Sequence, residues 1–219
     1  MPVQADSGPQ GAGAGPPQIE RYGDIVVYWR HELNGGGRSF GQQVVDLVGE
    51  RIGPVAHAFE WCSGPGFIGF SLLAQGLCRR LTLADVNPAA VEVARSTVAR
   101  NGLGDRVAVH LSDCLDAIPE CERWNLVVGN PPHLGENRTI PEIRRPELIY
   151  VDADWRLHRR FYGGVRARLA PGADVVIQEN GEWSSPDDFR SMIDDGGLVW
   201  VDAIEGRRGF YCIWSRNPS

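Results

Sequence analysis

The sequence contains no lysine: all 22 basic residues among its 219 are arginine. Schiff-base chemistry, lysine general bases and lysine-dependent phosphate loops are therefore excluded. Cysteine is sparse and unpatterned. Cys62, Cys78, Cys114, Cys121 and Cys212 are odd in number and form no C-x-x-C pair. Neither a disulfide framework nor a zinc site is expected from them, and five scattered histidines add no metal-ligand spacing. A signal peptide and long apolar runs are also missing, so a reducing cytoplasm is expected and a membrane partner is not. Positive charge is in deficit as well. The formal net charge of -6 argues against a broad nucleic-acid footprint, though a local basic patch stays open.

What remains is a globular composition, 42% hydrophobic, of the size of one domain with a cap and a tail. Residues 1–18, rich in Gly, Pro, Ala and Gln, read as a disordered tail. Residues 19–54 read as an N-terminal cap or lid: an apolar, aromatic stretch, then Asn34-Gly35-Gly36-Gly37, a mobile connection by composition. A helix follows, opened by Ser39 and Gln42 in a capping-box pattern and ending near Gly53. Residues 55–217 carry an alternating strand–helix rhythm, with strands over 55–62, 80–86, 106–111, 124–129, 173–178, 198–204 and 210–215. Helices are expected over 67–75, 88–101, 154–169 and 186–194. That rhythm predicts a mostly parallel sheet with helices on both faces. The last two strands are joined only by Glu205-Gly206-Arg207-Arg208-Gly209, too short for a crossover, so they must be antiparallel. The fold expected is α/β: a Rossmann-like, doubly wound, seven-stranded sheet ending in an antiparallel pair.

Gly64-Pro65-Gly66-Phe67-Ile68-Gly69 follows the first strand of this core and opens a helix, the context a nucleotide-binding G-x-G-x-x-G loop requires. Asp85 ends the next strand about twenty residues on, placed to accept from ribose hydroxyls. The pattern fits a dinucleotide fold and an adenosyl-methionine fold equally, and an ordinary glycine-rich turn is the bland alternative. Three additions separate the readings. Glu60, inside the end of the strand, can reach the amino group of a bound amino-acid moiety. Asp113, after the third strand, can accept from an adenine amine or simply cap its own turn. Asn130-Pro131-Pro132-His133 ends the apolar run Trp124–Gly129, and its two prolines hold one amide side chain and one carbonyl rigid at the sheet edge. A hydride-transfer enzyme has no evident need of it.

The run from Phe59 to His133 resembles the class I S-adenosylmethionine-dependent methyltransferases, in the branch carrying an N/D-P-P-Y/F/W/H motif. That branch includes HemK-type glutamine methyltransferases, adenine-N6 methyltransferases and small-domain RNA methyltransferases. Glu60-Trp61-Cys62-Ser63-Gly64-Pro65-Gly66 corresponds to the D-x-G-x-G-x-G loop, with Cys62 in place of its first glycine. Glu179-Asn180-Gly181 is similar to the E-x-G after the fifth strand of HemK-type enzymes. The resemblance implies S-adenosyl-L-methionine as cofactor, leaving S-adenosyl-L-homocysteine, with Glu60, Cys62, Gly64, Gly66, Asp85, Val86, Asp113 and Cys114 around it. It implies catalysis by Asn130, Pro131 and His133; Pro132, and Arg138 and Trp155 in the chain that follows, are candidates to border the substrate.

Methyl transfer to nitrogen is an in-line displacement governed by positioning. An amide or aromatic amine has a delocalised lone pair. The Asn130 side-chain oxygen and the Pro131 carbonyl can bind its N–H groups and turn that pair toward the methyl. His133 can stack on a planar target, donate, or accept a proton. The irregular stretch 134–152 carries Arg138, Arg144 and Arg145, able to hold a carboxylate or phosphate or to be plain surface charge. Trp155 can line the site or pack in the core, the latter being the default. A short cap and an acidic chain favour a small molecule or short peptide as the methyl acceptor. The alternatives are a HemK-like protein glutamine, an RNA adenine or guanine, and a noncatalytic cofactor-binding subunit. Neither the acceptor nor the oligomeric state is legible.

Overall fold

The computed structural model describes residues 17–135 and 150–219. The first sixteen residues of the expected tail, and the loop arginines Arg138, Arg144 and Arg145, lie outside the described residues. The described chain starts with a hairpin, β1 (Gln18–Tyr22) and β2 (Ile25–Trp29), paired antiparallel as a separate two-stranded sheet. Gly23, at φ +52°, supplies the left-handed backbone the two-residue turn needs. Ile25, Val27 and Trp29 point into the core. The open edge of β2 is covered by the polar side of a helix. Asn101 accepts from the Val26 amide at 2.9 Å and donates to its carbonyl at 2.8 Å, and Thr97 accepts from the Tyr28 amide. Backbone groups that would otherwise recruit another strand are thereby satisfied.

Helix α1 (Gln42–Leu47) continues through a wider turn over Val48–Ile52 and stops at Gly53, φ +87°. The expected capping box does not form. Gly41 caps the helix, Ser39 donates instead to the Gly36 carbonyl, and Gln42 accepts from the Ser71 hydroxyl. Packing of Gly41 decides the start: a side chain there would come within 2.6 Å of Ile68.

The core then alternates as β3 (Val55–Trp61), α2 (Phe67–Ala74), β4 (Cys78–Asp85), α3 (Pro88–Arg100), β5 (Val107–Leu111) and β6 (Trp124–Gly129). It closes with α4 (Arg156–Val165), β7 (Leu169–Asn180), α5 (Asp187–Asp195), β8 (Val199–Glu205) and β9 (Phe210–Arg216). The seven-stranded sheet runs β5-β4-β3-β6-β7-β9-β8, with β9 antiparallel to both neighbours and the rest of the pairs parallel. This is the doubly wound arrangement the alternation predicts. Its order reverses between β3 and β6, where open α/β sheets bind ligands.

Each buried strand sends alternate residues to opposite layers. Ala58, Leu126, Val128 and Val176 pack beneath the hairpin, α1 and α2. Phe59, Trp61, Val127 and Ile177 pack beneath α4 and α5. In that second layer Trp61 stacks on Phe161 at 3.9 Å between ring centroids and Phe59 on Trp124 at 4.1 Å. Such pairs add ~0.5–1.5 kcal/mol each beyond their buried area. The helix expected over 154–169 is shorter, because Asp154 and Trp155 both take positive φ and swing the chain out of helical geometry. No helix among the described residues is long and apolar enough to cross a membrane.

Candidate cofactor and acceptor site

A cavity of about 310 Å³ opens at the carboxyl ends of β3, β4, β5 and β6. Glu60, Cys62, Gly64, Asp85 and Val86 line it from the first two strands, and Asp113, Cys114, Asn130 and Pro132 from the next two. Leu33, Gly35 and Gly37, before α1, line it as well, as do Val151 and Leu157. Gly37 lies against Phe67 and within 3.8 Å of the Asn130 amide for an added Cβ. The segment is held on its outer side by Phe40, stacked on Phe210 at 4.5 Å.

Each glycine of the loop has a distinct reason. Gly64 and Gly66 sit at φ +52° and +87°, where a side chain is strained. Gly69 is the point of closest approach to β3: an added Cβ would meet Glu60 Oε2 at 2.7 Å. That proximity lets the buried Glu60 carboxylate accept from the backbone amides of Ile68 and Gly69 at 3.3 and 2.7 Å, at the N-terminus of α2. Burial pushes the Glu60 carboxyl up to about 8, and those two hydrogen bonds offset only part of the effect. Cys62, in the position of the usual glycine, does take a glycine-like φ of +51°.

Asp85 accepts from the Gly64 amide at 2.7 Å and from the Asn87 amide at 2.8 Å. It ties the glycine loop to the end of β4, and burial raises its carboxyl above the ordinary range. Asn87 then caps α3 by accepting from Ala89, with Pro88 in the first turn. Asp113 stands at the cavity rim, where Arg160 donates to one of its oxygens at 2.9 Å. Gly66 and Pro131 shape the loop and the strand end without lining the cavity. Trp155 does not line it either. It packs edge-on against Phe189 at 4.9 Å and His158 at 5.2 Å, the core default. Arg138 lies outside the described residues.

Two atoms of the Asn-Pro-Pro-His segment are buried with no partner among the described residues, Asn130 Oδ1 and His133 Nε2. Unmade hydrogen bonds of this kind cost about 1–3 kcal/mol each and mark places where a ligand completes the set. His133 is buried edge-on to Phe210, its Nδ1 3.1 Å from Glu179 Oε2. Glu179 also meets His158, which meets Asp152. Sequence reasoning missed Asp152 and His158. The available signal was His158 on the stripe His158, Phe161, Tyr162, Val165, the buried side of α4.

Residues 53–157 match the family described as Methyltransferase small domain. A release factor glutamine methyltransferase from Cereibacter sphaeroides is 30% identical over 132 residues, 57% of this chain and 47% of that protein. A ribosomal RNA small subunit methyltransferase C from Pseudomonas aeruginosa is 30% identical over 128 residues, 58% of this chain and 33% of that protein. The chain spans about half the length, or less, of these curated relatives. Among solved structures, the T. thermophilus 16S rRNA N2 G1207 methyltransferase, in complex with AdoMet and guanosine, superposes with a TM-score of 0.67 at 15% identity. That match covers 95% of this chain and 52% of the other. With its strand order, its glycine loop and its Asn-Pro-Pro-His strand end, the chain has the class I S-adenosylmethionine-dependent methyltransferase fold, and its residues 53–157 are a methyltransferase small domain.

Proposed function

We propose that the chain is an S-adenosylmethionine-dependent N-methyltransferase acting on a planar nitrogen that carries hydrogen. The observation that carries this is Asn130 Oδ1, buried and unpartnered at the end of β6, beside a cavity whose inner wall holds Glu60 and Asp85. The cavity suits the cofactor by its chemistry. Backbone without side chains at Gly64 leaves room for close approach, and burial raises both the Glu60 and the Asp85 carboxyls. Glu60 would face the amino-acid end, Asp85 the ribose, and Asp113 and Cys114 the base. Bound there, the cofactor supplies a methyl group on a sulfonium.

The chain's own part is to hold the acceptor. Asn130 Oδ1 and the Pro131 carbonyl accept from its N–H groups, which turns the lone pair out of conjugation and toward the methyl. The two prolines keep both acceptors from relaxing. Gly35 and Gly37, which line the same cavity, would keep water from the reacting atoms. A short peptide or small molecule is the acceptor this acidic chain favours. The curated relatives, named for protein glutamine and for ribosomal RNA, define the two comparison arms.

The test is tritium transfer from labelled S-adenosylmethionine to three probes: glutamine-bearing peptides, free purine nucleosides, and ribosomal RNA. Transfer to peptide or nucleoside supports the reading; transfer confined to ribosomal RNA reassigns the acceptor. Replacing Asn130 with Ala should reduce turnover by about a hundredfold or more with cofactor affinity within twofold of wild type. Unchanged turnover would remove Asn130 from the mechanism.

A further inference from the structure

One continuous chain of buried ionisable groups runs behind the acceptor site. His158 on α4 is fully buried, with Nδ1 2.6 Å from Asp152 Oδ2 and Nε2 2.9 Å from Glu179 Oε1. A neutral imidazole has one N–H and satisfies one acceptor; a carboxylate at each nitrogen calls for the doubly protonated ring. Asp152 is fixed further by the amides of Leu157 and His158, at 2.8 and 3.0 Å. Beyond His158, the second oxygen of Glu179 lies 3.1 Å from His133 Nδ1. A carboxylate there makes Nδ1 the donor and leaves a lone pair on Nε2. That nitrogen is buried without a partner, three residues from the equally unpartnered Asn130 oxygen.

Burying four ionisable groups in one file costs free energy that apolar residues would not. The file ends at His133 Nε2, buried and unpartnered, one residue beyond the cavity-lining Pro132. With Asp152 and Glu179 negative and His158 positive, the three groups carry one net negative charge.

We propose that His133 Nε2 takes the proton shed by the methylated nitrogen, and that Glu179, His158 and Asp152 are positioning residues that set its tautomer and stabilise its charged form. This rests on the N-methyl transfer reading above. The acceptor nitrogen's lone pair forms the bond to the methyl carbon, the carbon–sulfur pair stays on sulfur as a thioether, and one N–H proton passes to Nε2. His133 becomes an imidazolium bonded to Glu179 and later returns the proton to water. The substrate class narrows accordingly, to a primary carboxamide or an exocyclic amine, whose methylated cation must lose a proton. A tertiary amine, with no proton to give, is not served by this arrangement.

Other ionisable groups near the file stay neutral where an imidazole titrates. Tyr162 on α4, Tyr211 and Cys212 on β9 and Cys62 after β3 all feel the Glu179 charge, and burial, the larger cause, raises each. On the Phe210 side the charged group is Arg208, over the Phe40 ring.

Long-range proton–nitrogen NMR on the full chain with 15N-labelled histidine reads both rings with no acceptor present. At pH 7 His158 should show two protonated nitrogens and His133 a protonated Nδ1 with a bare Nε2. A His133 protonated at Nε2 alone, or a neutral His158, overturns the relay. The second arm is the pH profile of transfer to a glutamine-bearing peptide. His133→Phe keeps the ring against Phe210 and should lower kcat by about a hundredfold, with little change in acceptor KM and loss of the acid limb, where the base is protonated. Glu179→Gln should move that limb to lower pH. An unchanged profile in His133→Phe refutes the proton transfer. If no probe is methylated by the wild type, the N-methyl transfer reading fails, while the wild-type spectrum still decides the relay without any substitution.

Discussion

Two glycine-to-alanine substitutions in helices should have opposite signs, for reasons fixed by a few ångströms. Gly163 lies on the exposed side of α4, and an added Cβ meets nothing within 4 Å. Alanine there gains helix propensity worth ~0.8–1 kcal/mol. Gly69 is buried in α2, and its added Cβ would sit 2.7 Å from Glu60 Oε2, 2.8 Å from Leu81 and 2.9 Å from Leu83. The same propensity gain is then set against overpacking of ~1–3 kcal/mol. It is also set against the Glu60–Gly69 hydrogen bond, worth ~0.5–1.5 kcal/mol with the Glu60 carboxyl mostly protonated. The net is a loss of about 2 kcal/mol, which at ~2–4 °C per kcal/mol for a chain of this size lowers Tm by ~4–8 °C. Gly163→Ala should raise Tm by ~2–4 °C on the same basis. Urea and thermal unfolding of both variants check the pair. If Gly69→Ala is as stable as wild type, the close packing of α2 on β3 through Glu60 is wrong, and with it the account of the glycine loop.

Replacing Asn101 with Ala should cost ~1–3 kcal/mol, because it leaves the Val26 amide and carbonyl of β2 without partners; faster hydrogen exchange confined to β1 and β2 would show it. Stability should also fall as pH rises from about 6.5 to 9. Burial pulls the His158 value down, but the Glu179 and Asp152 carboxylates overcome it and push it up to about 9, so its contribution is complete below its unfolded value and lost through the folded one. The shift corresponds to ~3 kcal/mol, and Glu60, also raised, acts with the same sign. Urea unfolding at pH 6 and 9 measures it, and a flat or rising free energy would contradict the buried relay.

The core of the fold was legible because its strands are short β-branched runs closed by Gly, Pro or Asp, and because a five-residue connection cannot cross over. The hairpin was not. Its strand β2 is apolar on both sides, Val26 and Tyr28 as well as Ile25, Val27 and Trp29, so period-two alternation is absent, and α3 supplies the polar edge partners from 69 and 75 residues away. Trp155 shows another limit. Helical spacing places it on a face, but positive φ at Asp154 and Trp155 takes it off the helix, half-buried against the edge of the core. The cavity residues were readable one strand end at a time. The relay was not, since Glu179, His158 and Asp152 meet only when β7, α4 and the chain before α4 are folded together.

The resting charge state of the cavity bears on how a cation enters it. Glu60, with a value near 8, is about nine-tenths protonated at pH 7, and its carboxyl shares the inner wall with Asp85, which is itself raised. A ligand carrying a sulfonium and an ammonium reverses the balance, because a nearby positive charge favours the ionised carboxylate. Binding of S-adenosylmethionine should therefore release up to about one proton at pH 7. S-adenosylhomocysteine, without the sulfonium, should release fewer. Titration calorimetry in two buffers of different ionisation enthalpy reads the proton count directly. In Glu60→Gln the release should shrink to whatever Asp85 contributes. Proton uptake, or equal release in that variant and the wild type, would mean that Glu60 is already ionised in the empty site and that its two amide hydrogen bonds outweigh burial.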